Sequence, residues 1–467
     1  MDCAGQKTNF HFIAIGGVGM SGLAKYLLEK GYSVSGSDVS EGKYFSKVRD
    51  LGAVVSVGHN ERNLPKNSVV IASTAIKEDN PELKKAKELS MKIFHRSDLL
   101  KYIAEDFQRT KGMFIGFSGT HGKTTTSGLA SYVLAKSDLL PSYVVGGFIP
   151  EYETNAKADN GKYFVAELDE SDGTILKYSP DVTVINNLEV DHIDFYKAGL
   201  SSLVDTFTTF LDNLNLQSKV VINKDCNGCQ QLIEKNQNIS FVTFGKDNAD
   251  YTFRNVEYLD GITSFEIYRK NEFLIQIRLS IHGEHNVYNA LAVVCSLVEA
   301  GIDINKVKDC FSGFTGMGRR YQNVGCVDGI QIVDDYAHHP SEISATLSMA
   351  RACNNKKRLV AVFQPHRYSR LHGLYNDFLK CFTDADKVVV LDTYAASENP
   401  IEGHTSEEFA NELNKSFGKD GVVYISGKIS DIVSEVTKEL RKDDIVITLG
   451  AGDVTKLGAL ILNAKGS

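Results

Sequence analysis

A glycine-rich turn between an apolar run and a helix-forming segment constrains the fold of this chain more than any other feature. The apolar run is 113–117 and the helix-forming segment is 127–136. A strand, a tight turn and a helix in this order direct backbone N–H groups and the positive end of the helix dipole at one point, which suits a polyphosphate. A Lys that can reach terminal phosphates and a Thr that can ligate Mg2+ follow the turn. The sequence therefore predicts an ATP or GTP site formed by Gly119, Thr120, His121, Gly122, Lys123, Thr124 and Thr125.

Composition restricts the classes of partner. The chain has 467 residues, of which 42% are hydrophobic and 24% charged, as expected for a globular protein of about three domains. Its formal net charge of -8 leaves no surplus of Lys and Arg for general binding to nucleic acid or to an acidic membrane. No apolar run approaches the ~18 residues of a membrane span, and residues 1–9 are polar. We expect a cytoplasmic protein that binds neither nucleic acid nor membrane.

The cysteines lack the spacing of a disulfide framework, so we expect reduced thiols. Cys226 and Cys229 are the pair that resembles a motif, as Cys-Asn-Gly-Cys. Zinc needs about four ligands, and neither a second pair nor a His pair stands at zinc-finger spacing. The sequence therefore gives this pair no metal or redox role.

Short β-branched runs alternate with amphipathic stretches along the whole chain, which is typical of parallel sheets flanked by helices. We predict an α/β protein of three domains: a Rossmann-like domain at 1–108, a P-loop-type mononucleotide-binding domain at 109–324 and a second Rossmann-like domain at 325–467. The predicted strands include 10–15, 68–73, 113–117, 163–168, 182–185, 219–222, 330–333, 359–363, 388–391 and 445–449. The predicted helices include 23–30, 127–136 and 286–300.

The first domain carries a dinucleotide fingerprint. Gly17, Gly19 and Gly22 follow the first strand, and Asp38 stands 21 residues after Gly17. This pattern supplies a tight turn, close backbone approach to a pyrophosphate and an acid for a ribose hydroxyl. Taken alone it indicates a dehydrogenase. A hydride-transfer enzyme needs no second phosphate site, however, and a UDP-sugar presents the same pyrophosphate as NAD.

Polar clusters follow two predicted strands of the second domain. The first contains Glu167, Asp169, Glu170 and Asp172. A carboxylate at the end of a strand beside a phosphate loop is where a nucleotide-hydrolysing enzyme holds Mg2+, and Glu170 is our first choice. The second cluster places His192 among aspartates after the strand 182–185. Because this is the carboxyl edge of the sheet, we expect His192 to belong to the site.

These residues resemble the Mur ligases, a family of ATP-dependent amide-bond-forming enzymes of peptidoglycan precursor synthesis. The shared motifs are GTHGKTTT at 119–126, ELDESD at 167–172, NLEVDHID at 187–194 and GEHNVYN at 283–289. Three further motifs resemble the branch that adds L-alanine to UDP-N-acetylmuramate: GGVGMSG at 16–22 with GSD at 36–38, DDYAHHP at 334–340, and FQPHRYSR at 363–370. Other branches carry a carbamylated lysine after the DH motif, and this chain has no Lys from 198 to 218.

The resemblance implies a reaction in two steps. ATP converts the lactyl carboxylate of UDP-N-acetylmuramate to an acyl phosphate, because a carboxylate is a poor electrophile, and the amine of L-alanine then attacks the acyl carbonyl. Mg2+ would lie on Thr124 and Glu170, with a second ion near His192. The proton of the amine would go to His192, His338 or water. The implied catalytic residues are Lys123, Glu170, His192, Arg320, His338, Arg367 and Arg370.

The resemblance also implies ligand contacts. His285, Asn286 and Asn289 would face adenine, Asp335 would bind the ribose hydroxyls of ATP, and Arg320 would contact the γ-phosphate. The UDP-sugar would contact Gly17, Val18, Gly19, Met20, Ser21, Asp38 and Thr74. The alanine carboxylate and the muramate would face His338, His366, Arg367 and Arg370.

Other functions explain fewer motifs. A murein tripeptide recycling ligase, which also acts on UDP-N-acetylmuramate, usually shows a different segment at 364–367. A NAD-dependent oxidoreductase leaves the phosphate loop unused, and a P-loop switch leaves the Arg and His motifs of the third domain unused. Folylpolyglutamate-type ligases lack the UDP-type first domain. We expect a monomer or a homodimer.

Overall fold

The structure, a computed structural model, describes residues 8–191, 195–259, 262–396, 398–417 and 421–465. Its framework is three β-sheets flanked by helices. The predicted α/β class with three domains is confirmed, whereas the boundaries at 108 and 324 stay predictions. Within these described ranges, no helix is both long and apolar enough to cross a membrane.

The first sheet is parallel and has the order β3-β2-β1-β4-β5. Its strands are β1 (Asn9–Ile13), β2 (Ser33–Asp38), β3 (Val54–Val57), β4 (Ser68–Ala72) and β5 (Ile93–His95). Its helices are α1 (Val18–Glu29), α2 (Lys43–Asp50), α3 (Pro81–Glu88) and α4 (Arg96–Arg109). The chain leaves β1 and β4 in opposite directions along the sheet, so their carboxyl ends flank the switch point at which α/β sheets bind ligands. The helix α1 begins five residues before the predicted 23, because Gly17 already acts as its N-cap.

The second sheet has the order β15-β14-β13-β12-β11-β10-β6-β9-β7-β8. Its strands are β6 (Met113–Ser118), β7 (Ser142–Ile149), β8 (Thr154–Lys157), β9 (Tyr163–Glu167), β10 (Val182–Ile185), β11 (Lys219–Asn223), β12 (Phe241–Gly245), β13 (Tyr251–Leu259), β14 (Ile262–Arg269) and β15 (Glu272–Leu279). Its helices are α5 (Lys123–Lys136), α6 (Leu200–Asp212), α7 (Asn227–Lys235), α8 (Glu284–Glu299) and α9 (Ile304–Val307).

Both edges of this sheet carry antiparallel strands, so the sheet is mixed. The strand β8 is antiparallel to β7, and β13, β14 and β15 form an antiparallel meander. The turn from β14 to β15 consists of Lys270 and Asn271, with φ of 49° and 66°. Two residues with positive φ make the tight turn whose twist matches antiparallel strands. This turn lacks the usual Asn-Gly signal, whereas Asp260-Gly261, between β13 and β14 in the sequence, is a hairpin signal that the prediction did not use.

The third sheet has the order β16-β17-β21-β18-β19-β20, with β16 antiparallel to its neighbour. Its strands are β16 (Gln322–Val327), β17 (Ile330–Asp335), β18 (Leu359–Phe363), β19 (Lys387–Leu391), β20 (Val422–Ile425) and β21 (Ile445–Leu449). Its helices are α10 (Pro340–Cys353), α11 (Tyr368–Gly373), α12 (Tyr375–Phe378), α13 (Ser406–Phe417), α14 (Val433–Lys438) and α15 (Leu457–Lys465). Alternate residues of β18 enter the cores on the two faces, which explains its uninterrupted apolar sequence.

The chain divides into two compact units. One contains the first two sheets, and the other contains the third sheet together with Val190–Ser202 and Ile281–Val287. Inside the first unit, α1 lies against the second sheet. The side-chain amide of Asn155 in β8 donates to the carbonyl of Val18 at 2.6 Å, and the rings of Tyr26 and Phe164 meet edge to face at 6.0 Å. These contacts join the first and second sheets into one body.

A buried carboxylate organises the first sheet. Glu82 in α3 has no solvent exposure, and it accepts hydrogen bonds from Ser37 at 2.6 Å, the backbone of Asn60 at 2.9 Å and the side chain of Asn63 at 2.8 Å. His11 in β1 contacts the same carboxylate at 3.2 Å. Burial raises the pKa of Glu82, but these hydrogen bonds outweigh burial and lower it to about 2. The carboxylate thus ties two strands to the loop between β3 and β4.

Replacing this carboxylate should destabilise the protein. Glu82→Ala leaves several buried donors without an acceptor, so we expect a loss of about 3 kcal/mol in the free energy of unfolding, measured by urea denaturation. Glu88→Ala removes an exposed carboxylate of the same helix, paired with Lys85, and should change stability by less than about 1 kcal/mol. Equal effects of the two substitutions would contradict the role given to Glu82.

The lowered pKa of Glu82 predicts that the free energy of unfolding depends on pH. Because the folded-state pKa lies below the ordinary value of 4.5, the stabilisation is complete above pH 4.5 and is lost as pH falls toward about 2. The stability difference between the wild type and Glu82→Gln should therefore shrink below pH 4.5. Parallel denaturation curves at pH 7 and at lower pH measure this difference, and a constant difference would be inconsistent with the shift.

Candidate active site

The predicted phosphate loop joins β6 to α5 and depends on two glycines. Gly119 has φ of 119° and Gly122, the N-cap of α5, has φ of 79°. A Cβ on Gly119 would lie 2.7 Å from the carbonyl oxygen of Asn187, and one on Gly122 would lie 2.6 Å from Oδ1 of Asn289. Only glycine meets both requirements without strain. The geometry is that of a backbone cradle at a helix N-terminus.

Positively and negatively charged side chains meet at this loop because the strands that precede them are neighbours in the sheet. The strand β6 pairs with β9 on one side and β10 on the other, all parallel. The acids follow β9, and residues 186–189 follow β10, so they meet the loop at one sheet edge. The sequence placed both clusters after strands, and the pairing of β9 and β10 with β6 brings the ends of those strands together.

Lys123 and Glu170 form a buried ion pair. The ammonium of Lys123 lies 3.0 Å from Oε1 of Glu170 and donates to the carbonyls of Gly119 at 2.6 Å and Thr120 at 2.9 Å. Burial lowers the pKa of Lys123, but the charges of Glu170 and Glu167 outweigh burial and raise it. Burial raises the pKa of Glu170 to about 7 against the charge of Lys123. A further cation near Glu170 would therefore favour its ionised form.

Thr124 contacts a different acid from the one we preferred. Its hydroxyl donates to Oε2 of Glu167 at 2.9 Å, and the same oxygen accepts from the backbone of Gly146 at 2.9 Å. Glu167 was seen in the sequence as part of the acidic cluster and was not assigned a role. Its position at the last residue of β9, directly beside β6, was the signal that could have identified it.

The segment after β10 holds the phosphate loop in place. The carbonyl of Asn187 accepts from the backbone of Thr120 at 3.0 Å, and its side-chain oxygen accepts from the backbone of His121 at 2.8 Å. The hydroxyl of Thr120 accepts from the backbone of Glu189 at 2.9 Å. His121 and Glu189 also approach each other at 3.5 Å. Sequence reasoning assigned no role to Asn187 or Glu189.

An ion pair links the acidic cluster to the first sheet. Arg96, the first residue of α4, donates to Asp169 at 2.6 Å. The same guanidinium approaches the glycine turn of α1, since a Cβ on Gly19 would lie 3.2 Å from it. Burial raises the pKa of Asp169, but the charges of Arg96 and Lys123 outweigh burial and hold it well below its ordinary value. Charged side chains therefore extend from the glycine turn before α1, the predicted UDP-sugar turn, to the predicted phosphate loop.

The predicted UDP-sugar residues lie at the switch point of the first sheet. One oxygen of Asp38 accepts from the backbone of Gly16 at 2.8 Å, so this acid also fixes the turn. Met20 and Ser21 are buried, and the hydroxyl of Ser21 donates to the carbonyl of Val18 at 3.0 Å. A ligand at this turn would meet its backbone rather than these two side chains. Thr74 is exposed in the turn after β4.

The predicted adenine residues occupy the first turns of α8. Asn289 lies beside the phosphate loop in the first unit, as its contact distance to Gly122 shows. His285 and Asn286 belong to the segment grouped with the second unit. The amide of Asn286 donates to the carbonyl of His282 at 2.7 Å. The side chain of His285 is exposed to solvent.

Asp335 and Arg320 lie near the start of the third sheet. The two carboxylate oxygens of Asp335 accept from the backbones of Ala337 and Tyr321, each at 2.7 Å. Burial raises the pKa of Asp335 to about 6, against the charge of Arg320. The guanidinium of Arg320 lies over the ring of Tyr336, 5.3 Å from its centroid, and 3.4 Å from Glu342. Asp335 thus orders the loop that presents Arg320.

Several predicted residues of the third domain form one cluster. His338 and His366 have ring centroids 6.1 Å apart, and Nδ1 of His366 lies 3.1 Å from Arg370. Arg370 is 8% exposed and donates twice to Oδ1 of Asp191 at 3.3 Å. Because its donors are used by protein groups, Arg370 has the geometry of a positioning residue. Asp191 was not assigned a role from the sequence.

The neighbouring residues complete this cluster. Arg367 is the N-cap of α11 with φ of 68°, and its backbone donates to the carbonyl of Tyr394 at 3.0 Å. The ring of His366 stacks on Tyr394 with centroids 5.5 Å apart. His192, predicted as a metal and catalytic residue, lies outside the described residues.

Three family models match successive parts of the chain. A model described as Mur ligase family, catalytic domain matches residues 9–108, the Mur ligase middle domain matches residues 117–297, and the Mur ligase, glutamate ligase domain matches residues 319–452. The chain belongs to the Mur ligase family, as the sequence motifs predicted.

Individual relatives resemble the chain over its whole length. It is 40% identical to the UDP-N-acetylmuramate–L-alanine ligase of Trichlorobacter lovleyi, with 98% of this chain and 99% of the relative covered. The UDP-N-acetylmuramate-alanine ligase of Thermotoga maritima superimposes with a TM-score of 0.83 at 27% identity, covering 98% of each chain. A murein peptide ligase of Psychrobacter arcticus shares the fold, with a TM-score of 0.74 at 19% identity and 98% and 99% of the two chains covered.

The geometry of the phosphate loop predicts that a substitution at Gly122 lowers the affinity for ATP. Gly122→Ala places a methyl group 2.6 Å from Oδ1 of Asn289 at φ of 79°, so we expect the affinity for ATP to fall at least about ten-fold in a calorimetric titration. Gly301→Ala is the matched control, because Gly301 has φ of 78° with open space around its Cβ position. Each variant should lose about 1 kcal/mol of stability. Unchanged ATP affinity in Gly122→Ala would exclude this loop as the nucleotide site.

Proposed function

We propose that this chain is an ATP-dependent ligase that joins L-alanine to the lactyl carboxylate of UDP-N-acetylmuramate in peptidoglycan precursor synthesis. The main support is the similarity to UDP-N-acetylmuramate–L-alanine ligases, at 40% identity, along 98% of the chain. The buried Lys123–Glu170 pair, set on a glycine cradle, supports the ATP-dependent step.

The first step requires charge neutralisation around the γ-phosphate. A lactyl carboxylate oxygen attacks the γ-phosphorus, the bond to the β-phosphate oxygen breaks, and ADP leaves an acyl phosphate behind. Lys123 would exchange its bonds to the carbonyls of Gly119 and Thr120 for phosphate oxygens. The backbone N–H groups of Thr120 and His121 donate to Asn187, so the phosphate would be met by the N–H groups at the N-terminus of α5. We assign the γ-phosphate contact of Arg320 as a further part of this proposal.

The donor set beside the loop fits Mg2+. The hydroxyl of Thr124 and the carboxylates of Glu167 and Glu170 supply the oxygen ligands that this ion prefers, and the pKa of Glu170 near 7 shows a carboxylate that a cation would stabilise. When bound, Mg2+ would neutralise charge on the phosphate oxygens. We propose Thr124, Glu167 and Glu170 as its holders, with Glu167 added to the two residues of the sequence prediction.

The second step needs a neutral amine. The nitrogen of L-alanine attacks the acyl carbon, phosphate leaves, and one proton must go to a base. Burial lowers the pKa of His338 to about 4, so its ring is neutral at pH 7. Nδ1 of His338 lies 2.9 Å from the carbonyl of Tyr336, which only accepts, so Nδ1 carries hydrogen and Nε2 is free of it. This tautomer supports His338 as the proton acceptor.

The remaining assignments are also proposals. His285, Asn286 and Asn289 would contact adenine, Asp335 would contact the ribose, and His366 and Arg367 would face the alanine carboxylate and the muramate. Arg370 would hold His366 and Asp191 in position. We further propose a cytoplasmic location, a monomer or homodimer, and domain boundaries at 108 and 324.

Phosphate release tests the reaction. With ATP, Mg2+ and UDP-N-acetylmuramate, we expect release that requires L-alanine and is not supported by D-glutamate or by a murein tripeptide. Lys123→Met should lower the rate at least about 1,000-fold, because no other group replaces the ammonium. Lys136→Met, at the exposed end of the same helix, should retain activity. Release with the tripeptide alone would instead identify a recycling ligase.

Metal dependence tests the role of Glu167. Glu167→Gln and Thr124→Val each remove one oxygen group of the proposed set, so the Mg2+ concentration for half-maximal phosphate release should rise about 10- to 100-fold. Asp172→Asn is the matched control from the same acidic cluster, because the amide oxygen can still accept from the backbone of Thr174. A shift in Glu170→Gln without one in Glu167→Gln would restore the original choice of Glu170 alone.

A further inference from the structure

Two cysteines stand at the N-terminus of α7, in positions that no step of the ligase reaction uses. Cys226 is the N-cap of the helix, and Cys229 lies in its first turn. Cys229 is completely buried, whereas Cys226 is half-buried. The described cysteines are free thiols. A pair at the N-cap and the third helical position brings the two sulfurs together and exposes the first one to the positive end of the helix.

The sulfur of Cys226 contacts several donors and one acceptor, the carbonyl oxygen of Leu188 at 3.6 Å. The backbone N–H of Leu188 donates to the sulfur at 3.2 Å. The thiol of Cys229 and the backbone N–H groups of Gly228 and Cys229 also donate to it. The bond from Cys229 contributes most, and together these donors lower the pKa of Cys226 to about 6. Burial raises the pKa of the Cys229 thiol well above its ordinary value, so Cys229 keeps its proton at neutral pH.

This sulfur connects to the phosphate loop through three consecutive residues. Leu188, which bonds Cys226, lies between Asn187 and Glu189. Asn187 accepts hydrogen bonds from the backbone N–H groups of Thr120 and His121. The backbone N–H of Glu189 donates to the hydroxyl of Thr120. Leu188 itself is 1% exposed, so its N–H has no route to solvent if the sulfur moves. A change at Cys226 therefore acts on the backbone that holds the loop.

We propose that Cys226 and Cys229 form a reversible thiol-oxidation site that controls nucleotide binding, with a low-molecular-weight disulfide such as oxidised glutathione as the oxidant. The Cys226 thiolate attacks one sulfur of the oxidant, whose S–S bond breaks and releases one thiolate. Cys229 then attacks the sulfur of Cys226, and its proton passes to the departing second sulfur of the oxidant. Two protein thiols are oxidised to one disulfide, and one disulfide is reduced to two thiols.

Oxidation should disturb the phosphate loop for a simple reason. A disulfide sulfur carries no charge and is a weaker acceptor than a thiolate, and it must turn toward Cys229. The buried N–H of Leu188, which faces both sulfurs, is then left with weak acceptors only, which is costly. Movement of residues 187–189 to recover a partner would break the bonds to Thr120 and His121.

The site is tested in the full-length protein by oxidation and nucleotide binding. The exposed Cys326 and Cys353 are first replaced by Ser, to remove competing thiols. After treatment with oxidised glutathione, peptide mapping should find a Cys226–Cys229 disulfide. The affinity for a fluorescent ATP analogue should fall about ten-fold and return after reduction with dithiothreitol. Adding Cys226→Ala should abolish both changes, whereas Cys229→Ala should stop the reaction at a mixed disulfide on Cys226.

Alkylation gives a second readout that does not depend on ligase activity. The rate of iodoacetamide labelling at Cys226 should rise with a midpoint near pH 6, and Cys229→Ala should move this midpoint upward. Failure of the disulfide to form, or a disulfide that leaves nucleotide affinity unchanged, would overturn the proposal. The thiol-oxidation proposal does not depend on the identity of the amino-acid substrate. Phosphate release without L-alanine would contradict the ligase assignment and leave the thiol-oxidation proposal standing, and the reverse also holds.

Discussion

The ion pair of Lys123 and Glu170 is the interaction on which the rest of the candidate site depends. Its partners are buried, and a buried pair is stable only when other hydrogen bonds satisfy both charges. The ammonium meets that condition with the carbonyls of Gly119 and Thr120. The carbonyls can point at it because Gly119 adopts a positive φ. The loop conformation and the charge pair therefore require each other.

The strands beside the phosphate loop connect the Lys123–Glu170 pair to other charged groups of the first unit. The strand β9 brings Glu167 to Thr124, and its following loop brings Asp169 to Arg96 at the start of α4. Arg96 in turn approaches the glycine turn of α1. A phosphate site on the second sheet and a ligand turn on the first sheet are thus joined by alternating charges. This gives a physical basis for one unit that handles two phosphorylated substrates.

How far the site could be predicted varies with the kind of signal. Gly119 to Thr125 were recognisable because residue type and spacing suffice for a backbone cradle. Glu167 was not assigned as the partner of Thr124, since choosing among four nearby acids requires the side-chain directions at the end of β9. Leu188 was not seen at all, because its contribution is a backbone N–H that any residue carries. The contact of Asp191 with Arg370 joins residues 179 positions apart, and no local pattern records it.

The sequence by itself determined the α/β class, the positions of the parallel strands and the two ligand turns, because periodicity, glycine spacing and charged residue types are local properties of the chain. Strands 182–185, 359–363 and 445–449 have the predicted bounds. Tertiary structure alone decided the order of the strands, the pairing of each acid and the environment of Cys226. Those features depend on which strands become neighbours, and on which backbone groups burial leaves to be satisfied by distant parts of the chain.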